Sequence, residues 1–134
     1  RRQRQMCIRD RSGTVIGSGS FDSSTGVGLN THTAWTAAEQ ADGSVKLTLS
    51  VYVRSYTLEI GQRSIAISVN GATSGGMTRS FSVDSPNSQT DTLIYTYSTT
   101  VQKGSAVSVS VDWNYKGQYS GRDLDVISSS SSIF

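Results

Sequence analysis

Few residues in this chain are of a type that does chemistry, and their spacing limits what each can do. His32 is the sole histidine and Cys7 the sole cysteine, so the sequence assembles neither a zinc ligand set nor a Cys–His pair. A single His in a Thr-rich stretch reads as a sheet or surface residue rather than a general base. Serines abound, but Gly117-Gln-Tyr-Ser120-Gly121 has the wrong spacing for a G-x-S-x-G nucleophile elbow and follows no strand-to-helix pattern. Gly17, Gly19, Gly26 and Gly28 lead into no helix, so they cradle no phosphate. These absences point away from an enzyme: no catalytic, cofactor-binding or metal-binding residue is assigned, and no cofactor is expected.

Two C-terminal groupings are the candidates that remain. Asp123-Leu-Asp125 could turn two carboxylates to one side of an extended segment, with Asp112 nearby, as hard oxygen ligands for calcium. The further ligands and the glycine of a calcium loop are missing, so a solvated loop margin is the better reading. Trp113, Tyr115 and Tyr119 could stack on a sugar. Trp113 continues the apolar face of Val107, Val109 and Val111, which assigns it to the core and leaves the two tyrosines open. The expected partner contact is therefore Tyr115, Lys116, Gln118, Tyr119 and Arg122, an aromatic pair beside positive charge in one Gly-punctuated loop.

The elements that must hold such a loop are strands. Val45, Leu47, Leu49, Val51 and Val53 alternate with polar residues, as do Val107 to Trp113 and Ile65 to Val69. Residues 92–101 and 77–83 read as two further strands, the second with Met77, Arg79, Phe81 and Val83 on one face. Residues 34–41 are Ala-rich but precede an Asp-Gly turn, so they are assigned to a strand paired with 44–54. A weaker strand is expected over 13–20, and a Ser-rich terminal one over 125–134. Turn residues at Asp42-Gly43, Asn70-Gly71, Ser74-Gly75-Gly76, Ser85-Pro86-Asn87 and Lys103-Gly104 separate these runs. About seven or eight short strands at this spacing predict an all-β fold, a two-sheet antiparallel sandwich of immunoglobulin-like outline, with a barrel as the alternative.

Residues 1–11, RRQRQMCIRDR, resemble a translated sequencing adaptor. They reverse-translate without a gap into the read-one adaptor of transposase-based library preparation, which implies a metagenomic open reading frame whose native sequence starts near Ser12. The expected organisation is thus an adaptor-derived segment, 1–11, and a single sandwich domain, 12–134. Five of the twelve basic residues and one of the ten acidic ones lie in 1–11, so the remainder holds seven bases and nine acids, a net charge of −2. The basic character belongs to the adaptor, and with it goes the case for a nucleic-acid arm. Cys7 goes too, so cysteine usage carries no redox signal. No apolar run approaches the ~18 residues of a membrane-spanning helix, and no membrane insertion is expected.

The stretch Val107 to Ser128, with Trp113-Asn-Tyr-Lys-Gly-Gln-Tyr-Ser-Gly-Arg-Asp-Leu-Asp125 at its centre, resembles the immunoglobulin-like modules of minor structural and tail-fibre proteins of tailed phages. There an alternating strand ends in an aromatic, a Gly-Tyr-Ser-Gly loop follows, and a Ser/Thr-rich strand closes the domain. The resemblance implies a non-catalytic structural or host-recognition module of a virion, whose partners are other virion proteins or a host surface glycan or protein. Modules of this shape also occur in bacterial cell-surface or secreted adhesion proteins, and a carbohydrate-binding module of a larger secreted protein is the remaining alternative. If 1–11 are adaptor-derived, their deletion leaves the melting temperature within about 3 °C, and a drop of about 10 °C would show that they belong to the fold.

Overall fold

The computed structural model describes residues 14–104 and 106–133; residues 1–11 and Phe134, on which two of the expectations above fall, lie outside them. Every regular element described is a strand: β1 (Thr14–Asp22), β2 (Asn30–Glu39), β3 (Val45–Ser55), β4 (Leu58–Ile60), β5 (Ser64–Val69), β6 (Ala72–Met77), β7 (Phe81–Val83), β8 (Thr90–Val101), β9 (Val107–Trp113), β10 (Gly117–Tyr119), β11 (Arg122–Leu124) and β12 (Ile127–Ile133). Two antiparallel four-stranded sheets, in the orders β1-β2-β3-β8 and β12-β9-β5-β6, make the sandwich, and the pairs β4-β7 and β10-β11 lie in its connections. With β1 set aside, β2-β3-β8 facing β12-β9-β5-β6 is the A-B-E and G-F-C-C′ order of immunoglobulin-like domains. The expected class is therefore the observed one, with β1 as an added edge strand.

Period-two alternation dictates what meets in the middle. Val45, Leu47, Leu49, Val51 and Val53 from β3 are all buried, as are Ile65, Ile67 and Val69 from β5 and Val107, Val109, Val111 and Trp113 from β9. They form one cluster spanning both sheets. Each such side chain contributes about 1.5–3 kcal/mol on burial. Trp113, fully buried, packs against Tyr115 with the rings tilted and their centroids 5.3 Å apart. Trp35 and Phe81 are only partly buried against it.

The sides of the sandwich are closed by aromatics laid on glycines. Trp35 covers Gly19, where a β-carbon would come within 2.8 Å of the indole nitrogen. Tyr95 of β8 crosses to β6 and covers Gly76, its hydroxyl occupying the space such a carbon would need. On the opposite side β12 runs close to β1 and β2.

The strand count departs from expectation because short pairs form inside stretches that read as loops. Ser74-Gly75-Gly76, expected as a turn, lies within β6, where Gly76 makes room for Tyr95. The expected strand over 77–83 is broken at Thr78, whose N–H and hydroxyl both bond Arg63 O, at 2.8 and 3.0 Å, and take the chain out of register. Met77 is consequently exposed instead of sharing an inward face with Val83. The Ala-rich run does form a strand, β2, paired with β3 throughout (Asn30↔Arg54 to Glu39↔Val45). Backbone ladders on both sides outweigh weak helix propensity in so short a segment.

Asn70-Gly71 and Ser120-Gly121 are two-residue hairpin loops whose four φ angles, 52°, 87°, 53° and 76°, match a type I′ turn. Trp113→Ala is expected to cost about 3–5 kcal/mol in chemical denaturation, since it empties a large aromatic from the shared core; a loss under about 1 kcal/mol would show that the two sheets do not depend on it.

Candidate functional site

Antiparallel pairing sorts the connections into two ends. Those after β2, β5 and β8 are short and lie together. Residues 23–29, 56–63, 78–89 and 114–126 lie at the other end, with β4, β7, β10 and β11 among them. Charge follows the same division. Among the described residues, Glu39, Asp42, Lys46 and Lys103 are at the short-loop end, Lys103 Nζ pairing with Glu39 at 3.0 Å. All the other charged residues described are at or near the long-loop end. Between the ends the outer faces are uncharged rows of hydroxyls. Ser130, Ser110, Ser68 and Thr73 align across one sheet, and Ser18, Thr36, Thr48 and Ser98 across the other.

At the long-loop end the β10–β11 hairpin carries the contact residues expected from sequence, and the structure divides them. Lys116, Gln118 and Arg122 are exposed. Tyr115 and Tyr119 are not: they are 5% and 9% exposed and belong to the core cluster. The Tyr115 hydroxyl donates to Gln118 O at 2.7 Å, and the Tyr119 hydroxyl accepts from the Tyr56 N–H at 3.0 Å. Burial, together with the nearby Tyr119, raises the Tyr115 pKa above the usual tyrosine value. The aromatic pair is thus the hairpin's anchor, which corrects its assignment to the contact surface. The hairpin and the 23–29 loop lean on one another: Arg122 sits over Gly26, and Tyr56 over Gly28. Asp123 pairs with Gln118 in the hairpin ladder and Asp125 O accepts from Lys116 N at 2.8 Å. Among the described residues no three His, Cys, Asp or Glu side chains gather as a metal site.

A second grouping, which the sequence reading left apart, lies on the outer face of the first sheet at the same end. Register aligns Asp22, His32, Tyr52 and Leu93 across β1, β2, β3 and β8, and Asn30, Arg54 and Asp91 in the next row. His32 Nδ1 bonds Asp22 Oδ1, and its ring lies 6.2 Å from that of Tyr52. Arg54 holds Asp91 with two hydrogen bonds, Nε to Oδ1 at 2.8 Å and Nη2 to Oδ2 at 3.1 Å. These bonds lower the Asp91 pKa and raise that of Arg54. The pairing of Arg54 with Asp91 depends on an irregularity. Val51 faces Tyr95 while Tyr52 faces Leu93, so Ile94 is an extra residue, fully buried. This bulge switches the facing of β8 and brings Asp91 outward beside Arg54. A strict period of two from Tyr95 would have turned Asp91 into the core.

Comparison of the chain with protein-family models, with curated proteins and with solved structures finds no match. Fold and site together describe an immunoglobulin-like sandwich with its charged and loop-borne groups at one end. The Arg54–Asp91 pair is expected to show a small acid-side dependence. Because the folded pKa of Asp91 is depressed, its contribution is present above the unfolded pKa and is lost as pH falls through the folded one. Both side chains are more than a third exposed, so the contribution is at most about 1 kcal/mol. Arg54→Gln should raise the Asp91 pKa followed by NMR toward the ordinary carboxylate range; an unchanged value would remove the pair from the account.

Proposed function

We propose that this domain is a non-catalytic structural or host-recognition module of a phage virion that makes its contacts through the long-loop end. The observation that carries the recognition reading is the segregation of charge and long connections to one end of a hydroxyl-faced scaffold. A rigid sandwich holds such loops in place, and binding residues concentrate on loops so held. The virion setting rests on the resemblance of residues 113–125. Lys116, Gln118 and Arg122 remain the contact candidates of the hairpin, with Tyr115 and Tyr119 fixing its position from beneath.

A bacterial surface adhesion module would use the same end, and the genes beside this one on its source contig separate the two settings: capsid, tape-measure or lysis genes support the virion. The recognition reading is checked by retention of the purified domain on a panel of bacterial envelopes. The wild type should be retained, and a Lys116→Ala/Arg122→Ala variant retained several-fold less. Equal retention of both would remove the hairpin from the contact surface, and failure of the wild type to bind any envelope would leave an architectural role in its place. Hydrolysis of an envelope polymer by the domain would overturn the non-catalytic reading.

A further inference from the structure

Beside the paired charges is a depression of about 160 Å³ lined by Asp22, Asn30, His32, Arg54 and Gln89. Its frame is fixed by bonds already made. Asn30 Oδ1 accepts from Ser23 Oγ and Thr25 N, at 3.0 and 2.9 Å, and Asn30 Nδ2 donates to Val27 O. Gln89 Nε2 reaches across to Gly28 O at 3.0 Å. What is left uncommitted among the described residues is the second face of each group. Asp22 Oδ2 stands 4.0 Å from Arg54 Nη1, too far for a direct bond. Gln89 Oε1 is a free acceptor. With Nδ1 engaged by Asp22, His32 Nε2 is the ring nitrogen left for a further hydrogen bond.

We infer that this depression is a subsite for one ring of a neutral saccharide. The inference rests on the recognition reading above and names its ligand class. The gap between Asp22 Oδ2 and Arg54 Nη1 is the discriminating feature. One oxygen placed between them at ordinary bond lengths of about 2.8 Å must donate to the carboxylate and accept from the guanidinium. A hydroxyl does both. A peptide N–H only donates, and a carbonyl only accepts. Gln89 Oε1 and His32 Nε2, on residues that line the same depression, are the groups open to further hydroxyls of the ring. Charge selects in the same direction: Arg54 is already paired with Asp91 and His32 is held by Asp22, so the site has no uncompensated positive charge to hold a carboxylate, sulfate or phosphate. The volume is about half that of the smallest usual small-molecule clefts, about 300 Å³, which fits a single ring with the rest of a glycan in solvent.

The test titrates glucose, galactose, mannose and N-acetylglucosamine, with galacturonic acid and an N-acetylated dipeptide amide as controls, into the isotope-labelled domain and follows the His32, Arg54 and Gln89 side-chain NMR signals. At least one neutral sugar should give saturable shifts at these three residues, and Asp22→Asn, which turns an acceptor into a donor, should weaken it about tenfold. Gln89→Ala, on a different loop, should weaken it as well, and serves if Asp22→Asn lowers the melting temperature by more than about 3 °C. Lys46→Ala, exposed at the short-loop end, should leave the sugar affinity unchanged. The proposal is overturned if no neutral sugar shifts these signals, if galacturonic acid or the dipeptide binds as well, or if neither Asp22→Asn nor Gln89→Ala weakens binding. Envelope retention by a wild type that binds no sugar would sink the subsite and leave the recognition reading standing; loss of both would sink the two together.

Discussion

The burial of two apolar sheet faces against one another is the constraint from which the rest of this molecule follows. β3 and β9 supply most of it, because each sits inside its sheet with neighbours on both sides and presents an unbroken apolar row inward, ending in Trp113 on β9. Once those rows meet, the intervening residues of every strand must face out, and they are chiefly Ser and Thr. The faces are thereby solvated without charge, and the charged side chains are left to the ends.

The same constraint explains why the aromatic residues of the C-terminal hairpin are anchors. Tyr115 and Tyr119 lie beyond the last rung of β9, where the sandwich would otherwise open to water between its sheets. Their rings extend the core past Trp113, and each hydroxyl is satisfied by a backbone group. This suits a tyrosine, whose ring gains from burial while its oxygen still needs a partner. The cost is that the hairpin's exposed chemistry reduces to Lys116, Gln118 and Arg122 with the acidic residues beside them. On the first sheet the opposite happens: Asp22, His32 and Arg54 sit on outward rungs at the strand ends, so their polar groups stay accessible while their backbones are locked into the ladder.

What the sequence determined by itself was whatever depends on a period of two and on local turn chemistry: the all-β class, the core rows of β3, β5 and β9, the burial of Trp113, and the hairpin loop at Asn70-Gly71. These are legible because neighbours along one strand, or within one turn, carry the whole signal. The tertiary structure decided what depends on register between distant strands. Ile94 as an extra residue turns Asp91 out to Arg54, thirty-seven positions away, and the β1–β2 pairing sets Asp22 beside His32. Gly76 read as a turn residue until Tyr95 was laid across it, and Tyr119 read as a contact residue until Tyr56 N was brought to its hydroxyl. Each of these rests on a long-range pairing or a bulge that shifts the facing of a strand, and neither leaves a mark in the local pattern of residues.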